Sequence, residues 1–288
     1  MACEIRRITE KDQEWPLLLK EIPEKDRPKQ LYIQGNLPPA DALTVAIVGT
    51  RRTTAYGREA AKSIAETLAL HNIVVISGMA VGIDTEAHKA TIEANGKTIA
   101  VLGSGLNENV IYPKQNRNLA RIISEKNGCL ITEYEPDQKP EIWTFPQRNR
   151  IIAGIAKAVI VIEAREKSGA LITAKIATEY NRELFALPGP IFQETSKGPH
   201  QLIRQGAIPI SNPEDVLESL GIEKNNEIKN KEVSIKESGI LKLLYEPLDI
   251  DSIIRKNKLS SSETQSLVSL MEIRGIIKKI GNTYVKNI

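Results

Sequence analysis

Three stretches of this sequence carry basic residues without a single acidic one. They are residues 44–58, 110–124 and 142–158, and each contains three arginines or lysines. These basic residues are Arg51, Arg52 and Arg58; Lys114, Arg117 and Arg121; and Arg148, Arg150 and Lys157. A guanidinium group can bind a phosphate through two parallel hydrogen bonds, so such stretches suit phosphate groups. A mononucleotide would use one stretch, whereas an extended phosphate backbone would use all three.

Turns rich in glycine and hydroxyl groups accompany the basic residues. The candidate binding residues in these turns are Gly49, Thr50, Ser77, Gly78, Gly82, Ser168 and Gly169. Glycine lets backbone N–H groups come close to an anion, above all where a helix begins directly afterwards. Phe145 lies three residues before Arg148, and its ring could stack one base. The turns and the basic stretches together predict a site that binds nucleic-acid phosphates.

The chain lacks the motifs that would let such a site react with its ligand. Gly103-Ser104-Gly105 does not continue into a Gly-x-Gly-x-x-Gly dinucleotide fingerprint, and no P-loop pattern is present in the sequence. No carboxylate pair or cluster of metal ligands lies in the glycine-rich turns, so we expect no catalytic residue, metal or cofactor. We expect Asp84 to cap a helix that starts at Thr85, and His88 to lie on the face of that helix.

The hydrophobic pattern indicates which elements position these residues. Between residues 44 and 220, short runs rich in Val and Ile alternate with segments of helical periodicity, which predicts an α/β fold with a parallel sheet covered on both faces. The predicted strands are residues 45–48, 73–76, 98–102, 129–132, 158–162, 184–187 and 208–210. Ligands of such sheets bind beyond the carboxyl ends of the strands, so the basic stretches are expected to meet at one edge.

Changes in composition along the chain predict its domains. We expect residues 1–43 to form a short lead-in that packs on the α/β domain of residues 44–220. Residues 221–237 are rich in Lys, Glu and Asn, which is typical of a solvated linker. Residues 238–288 contain three helical patterns and a terminal hairpin, which predicts a small winged-helix domain. Its third helix has Arg274 as its only basic residue, so we expect contacts with proteins rather than with a DNA groove.

Composition narrows the class of protein further. The 288 residues include 39 basic and 36 acidic side chains, and a net charge of +3 does not by itself indicate a nucleic-acid or membrane partner. The two cysteines, Cys3 and Cys129, have no clustered partners, which argues against a disulfide scaffold and a zinc site. No apolar run approaches the roughly 18 residues of a membrane span, so we expect a soluble cytoplasmic protein.

Five short motifs follow one another along the chain. They are VAIVGTR at 45–51, SGMAVGID at 77–84, FPQRNRIIAG at 145–154, SGALITA at 168–174 and LPG at 187–189. In this order they closely resemble the DprA/Smf family of bacterial DNA-processing proteins, strongly over residues 15–220 and more loosely over residues 238–288. The resemblance implies an extended Rossmann-like domain, a homodimer, and a role in binding single-stranded DNA and loading the RecA recombinase in natural transformation. It establishes no enzymatic activity.

The resemblance also implies roles for single residues. The family's Gly-Ser-Arg element corresponds to Gly49, Thr50 and Arg51, where threonine keeps the hydroxyl group that serine usually supplies. The Phe-Pro-x-Arg-Asn-Arg element is intact at residues 145–150. The residues expected to bind DNA are Gly49, Thr50, Arg51, Arg52, Ser77, Gly78, Gly82, Lys114, Phe145, Arg148, Asn149, Arg150, Ser168 and Gly169.

A second interpretation is a nucleotide-binding enzyme that resembles the phosphoribohydrolases of the Rossmann-like class. Those enzymes carry a Pro-Gly-Gly-x-Gly-Thr loop that binds phosphate. The comparable place in this chain reads Leu187-Pro188-Gly189-Pro190, without the second glycine and the threonine. Since this loop is incomplete, the enzyme is the weaker of the two interpretations.

Overall fold

The computed structural model describes residues 4–126, 128–222, 235–257, 259–273 and 275–286. Within it the chain divides into two compact units, Met1–Lys224 and Asn225–Ile288. Cys3, Arg274 and most of the expected linker, at residues 223–234, lie outside the described residues.

A nine-stranded sheet forms the centre of the first unit. Its strands are β1 (Ile5–Ile8), β2 (Leu31–Gly35), β3 (Thr44–Val48), β4 (Val74–Ser77), β5 (Thr98–Val101), β6 (Gly128–Thr132), β7 (Ala158–Val161), β8 (Glu183–Ala186) and β9 (Ile208–Pro209). They lie in the order β1-β2-β6-β5-β4-β3-β7-β8-β9. All neighbouring pairs from β6 to β9 in this order are parallel, which confirms the predicted parallel α/β sheet.

Helices cover both faces of this sheet. They are α1 (Ala55–Leu70), α2 (Ile83–Glu93), α3 (Arg117–Glu125), α4 (Thr144–Ile155), α5 (Gly169–Glu179), α6 (Lys197–Arg204) and α7 (Glu214–Ser219), with short 3-10 helices at Leu17–Lys20, Glu24–Asp26, Lys114–Asn116 and Glu194–Ser196. In β3, Val45 and Ile47 pack in the core cluster of α1, whereas Ala46 and Val48 pack in the cluster of α4 and α5. A strand buried on both faces needs an apolar residue at every position, which explains its continuous apolar run. No helix in the described residues is long and apolar enough to cross a membrane.

The N-terminal segment extends the sheet as well as packing on it. β2 pairs antiparallel with β6, with Tyr32 opposite Thr132 and Gly35 opposite Cys129, and β1 pairs antiparallel with β2. The expected lead-in over residues 1–43 included no strand, and the sequence of β1, Ile-Arg-Arg-Ile, indeed lacks the apolar run of the inner strands. An edge strand needs fewer buried side chains, and β1 is held by its hydrogen bonds to β2 together with the burial of Ile8 in the core.

The strand order reverses direction between β3 and β7. From β3 the chain moves outward through β4, β5 and β6, and it then returns beside β3 as β7 before moving the other way through β8 and β9. At such a point the loops that leave two adjacent strands diverge to opposite faces and leave a crevice between them. The loops after β3 and β7 therefore border the usual ligand position of an α/β sheet.

The described residues of the second unit form three helices and a small sheet. Its elements are α8 (Ile235–Leu243), β10 (Leu248–Asp249), α9 (Ile250–Lys256), α10 (Ser261–Ile273), β11 (Ile277–Ile280) and β12 (Thr283–Lys286), and the sheet order is β10-β12-β11. The predicted terminal hairpin is present, with Ile280 paired to Thr283 and Gly281 in a left-handed conformation. The helices of this unit share a hydrophobic core that includes Ile240, Ile253 and Met271.

A buried histidine couples this fold to pH. His88 lies in α2 with no exposed surface, and its Nδ1 is 2.7 Å from Thr98 Oγ1. The Thr98 hydroxyl donates to the carbonyl of Val75, so Nδ1 carries the proton and donates to Thr98. Burial lowers the pKa of His88 to about 3, and the ring therefore stays neutral in the folded protein down to that pH.

We expect acid to destabilise the protein through His88. Below about pH 6.5 the unfolded ring binds a proton that the folded protein excludes, which costs on the order of 3 kcal/mol at pH 4. His88→Asn keeps an N–H donor toward Thr98 but does not titrate. The difference in the free energy of unfolding, wild type minus variant, should therefore fall by this amount between pH 7.5 and pH 4 in urea titrations. A difference that stays constant over this range would contradict the role of His88.

Candidate functional site

A cleft of about 540 Å³ opens where the strand order reverses, beyond the carboxyl ends of β3 and β7. The loops after these two strands, the first turns of α4 and the start of α5 line it. The expected binding residues in its lining are Gly49, Thr50, Arg51, Phe145, Arg148, Asn149, Ser168 and Gly169. The volume lies in the range of pockets that hold small ligands.

Arg51 and Phe145 lie side by side in this lining. The Arg51 guanidinium carbon lies 5.7 Å from the centre of the Phe145 ring, within the range of a cation–π contact. The ring of Tyr112 lies 5.6 Å from that of Phe145 and is tilted by 57°. A cationic group and two aromatic rings thus stand side by side at the wall of the cleft.

The buried carboxylate of Glu163 holds the loop after β3 in place through hydrogen bonds. It is 2% exposed and accepts hydrogen bonds from the backbone N–H of Thr54 at 3.0 Å and from the hydroxyls of Thr54, Thr195 and Thr53 at 2.7, 3.0 and 3.1 Å. The N–H of Thr50 donates to the Glu163 carbonyl at 2.7 Å. Because these charge-assisted bonds converge on one buried carboxylate, the loop is held in one position.

The glycine turn after β4 already holds an anion, the carboxylate of Asp84. Its Oδ2 accepts the backbone N–H groups of Gly78 at 3.1 Å and Ala80 at 3.3 Å. α2 begins at Ile83, two residues before the expected start, with Gly82 as the preceding residue, so the predicted capping role of Asp84 was wrong. Since the Gly78 N–H is engaged within the protein, this turn does not offer it to a phosphate.

Arg148 points beneath the cleft into the protein. It is 5% exposed, and its Nη1 donates to the carbonyls of Gly78 and Val101 at 2.5 and 2.6 Å. A Cβ atom on Gly78 would lie 2.0 Å from this Nη1, so the glycine makes room for the guanidinium. Burial lowers the pKa of Arg148 to about 10, while the Asp84 charge opposes this shift. Burial likewise raises the pKa of Asp84, and Arg148 opposes that change.

Six of the expected residues do not line the cleft. They are Arg52, Ser77, Gly78, Gly82, Lys114 and Arg150. Ser77 is fully buried and donates its hydroxyl to a backbone carbonyl of β3, whereas Arg52 and Lys114 are exposed in the connections after β3 and β5 at the same edge. Arg150 forms an ion pair with Glu133. Residues 148 and 150 lie about 200° apart around α4, so the helix cannot turn both toward the cleft.

Several lining residues were not among those expected from the sequence. They include Tyr112, Ile142, Arg165, Lys167 and Thr173. Arg165 and Lys167 lie in the loop between β7 and α5, and a position beyond the carboxyl end of a strand was the signal that could have identified them. Glu163 and Glu166 made the stretch look neutral in the sequence. Because Glu163 is buried and bonded inward, the exposed part of this loop is in fact basic.

The chemistry of the cleft is that of an anion-binding site. Exposed Arg51, Arg165 and Lys167 surround it, and α5 begins at its wall. Among the residues that the structure describes, Asp84 is the one carboxylate in the lining, and two backbone N–H groups already hold it. The arrangement can bind phosphate and stack an aromatic ring.

Comparison with known proteins gives consistent results. The family model of DNA recombination-mediator protein A matches residues 6–221. Protein Smf of Escherichia coli is 46% identical over 195 residues, which cover 68% of this chain and 52% of that protein, so the chain spans about half of its length. DNA processing protein A from Streptococcus pneumoniae has a TM-score of 0.70 at 39% identity, over 77% of this chain and 76% of that one.

A second solved structure, which describes the single-stranded DNA binding mode of DNA processing protein A from Helicobacter pylori, is also similar. It has a TM-score of 0.67 at 32% identity and covers 76% of this chain and 98% of that one.

We expect Gly78→Ala to destabilise the protein by about 3 kcal/mol, because the new methyl group would collide with a buried guanidinium that two carbonyls hold in place. The control is Gly169→Ala, where a Cβ meets no atom within 4 Å and the change should stay within about 0.5 kcal/mol. Urea unfolding of both variants measures this. Equal stabilities would mean that Arg148 can move away at little cost.

Proposed function

This chain belongs to the DNA recombination-mediator protein A family, and we propose that it is a recombination mediator whose cleft binds single-stranded DNA. The observation that carries this proposal is the placement of Arg51 over Phe145 at the cleft wall. Proteins that bind single strands combine basic groups along the backbone path with aromatic faces for unpaired bases. A base within a duplex is already stacked, so an aromatic face in a cleft favours a single strand.

The exposed cations extend the proposed path of the strand beyond the cleft. Arg51, Arg165 and Lys167 border the cleft, and Arg52 and Lys114 are exposed in the connections after β3 and β5 at the same edge. Contacts of this kind neutralise phosphates without reading bases, so binding should depend on salt and only weakly on sequence.

We propose that the bound strand is protected and passed to the RecA recombinase during natural transformation, with the protein acting as a homodimer in the cytoplasm. Family membership supports this role. A mediator role also fits a cleft that binds DNA through cations and an aromatic ring and needs no catalytic side chain. We further propose that the protein is not an enzyme. The incomplete loop at Gly189-Pro190 and the engaged carboxylate of Asp84 both argue against the nucleotide hydrolase.

The organisation of the chain remains part of the proposal. We assign residues 44–220 to a Rossmann-like DNA-binding domain, residues 221–237 to a linker and residues 238–288 to a winged-helix domain. Three helices followed by a hairpin support the last assignment. α10 carries Glu263 and Glu272 and exposes Leu270 and Ile273, which suits contact with a protein better than contact with DNA.

We predict that Arg51→Ala weakens binding of a single-stranded oligonucleotide by about 1.5 to 3 kcal/mol, roughly 10- to 150-fold, because one charge-assisted phosphate contact is lost. The slope of log affinity against log salt should flatten by roughly one unit. The matched control is Arg7→Ala, which removes an equal charge from the exposed side of β1, outside the cleft lining. It should leave affinity within about twofold, because salt screens a charge that does not contact the strand.

Fluorescence anisotropy across a salt series distinguishes the two variants. If Arg51→Ala binds as tightly as the wild type at moderate salt, the cleft is not the DNA site. Equal losses in both variants would show that binding follows total charge and not the position of Arg51.

A further inference from the structure

The N-terminus of α5 has open space in front of it, at the wall of the cleft. α5 begins at Gly169, and the hydroxyl of Ser168 accepts the N–H of Ala170 at 3.1 Å. A Cβ atom on Gly169 would meet no other atom within 4 Å. Helix N-termini attract anions because of their free N–H groups and the helix dipole. A group bound in this space would therefore experience a positive potential.

A second feature of the cleft is independent of the helix end. Arg165 and Lys167 line the cleft just before α5, and both residues are exposed. A cationic side chain beside a helix N-terminus adds to the attraction for a phosphate group. The lining thus contains a helix N-terminus with open space in front of it and two exposed cations.

The other end of the cleft is aromatic and apolar. Phe145 and Tyr112 lie in contact there, and Ile142 at the lining is 92% exposed. The cleft therefore joins a face suited to a flat ring and an end suited to a phosphate within about 540 Å³. Pockets of this size enclose ligands as small as one nucleotide.

We propose that the cleft also binds a single free nucleoside 5′-monophosphate, which competes with DNA for the same residues. The phosphate lies at the N-terminus of α5 beside Lys167, and the base lies against Phe145 and Tyr112. This inference rests on the proposed function, because it assigns one nucleotide unit of the strand to this cleft. It goes beyond that function in predicting that cellular nucleotide regulates access of DNA.

The probe for this site is deoxyadenosine monophosphate. Calorimetry with the full chain should show one site, and the nucleotide should displace a fluorescent single-stranded oligonucleotide in anisotropy measurements. Deoxyadenosine and inorganic phosphate should each bind at least tenfold more weakly, since each fills only one end of the cleft. An oligonucleotide that binds but is not displaced overturns this inference and leaves the proposed function intact. Nucleotide binding without any oligonucleotide binding would overturn the proposed function and, with it, the inferred competition with DNA.

A pair of variants at Gly169 tests where the phosphate lies. Gly169→Asp places a carboxylate in the open space at the start of α5, where it favours the helix but repels a phosphate. Gly169→Asn has nearly the same shape without the charge. We expect the melting temperature of Gly169→Asp to be at least that of Gly169→Asn, while its nucleotide affinity is at least tenfold lower. Equal affinities of the two variants would place the phosphate elsewhere and overturn the assignment.

Discussion

The buried guanidinium of Arg148 holds the carboxyl edge of the sheet together. It donates to carbonyls at the ends of β4 and β5. The nearby carboxylate of Asp84 accepts two backbone N–H groups of the turn that follows β4. Leaving a buried donor or acceptor without its partner costs free energy, so α4 cannot shift without loosening the neighbouring loops. Phe145 lies three residues earlier on α4, and its position is thereby fixed from below the cleft.

Charged residues in this domain divide into those that face inward and those that face outward. Asp84 and Glu163 are buried and bonded to backbone and hydroxyl groups, and Arg150 pairs with Glu133. Arg51 remains exposed beside the cleft. These carboxylates form their bonds within the fold and do not face the cleft with a free charge. The cleft is therefore basic although the net charge of the chain is only +3. Local charge therefore governs binding more than the total.

The sequence was sufficient for the parallel sheet and for the edge where the site lies, because strands buried on both faces have continuous apolar runs and their loops share one edge. It was not sufficient for side-chain direction. Arg148 and Arg150 look equivalent in the sequence, and only the docking of α4 decides which one points inward. Gly78 suggested an anion-binding turn, yet its anion is Asp84 of the same chain. β1 was missed because an edge strand needs no apolar run.

The cleft has room for an unpaired base and a backbone beside it, and a titration of the full chain with DNA tests this most directly. Fluorescence anisotropy would compare a single-stranded oligonucleotide with the duplex of the same length across a salt series. We predict tighter binding of the single strand at every salt concentration, with log affinity falling linearly as log salt rises. Equal or tighter binding of the duplex would contradict a site built around Arg51 and Phe145.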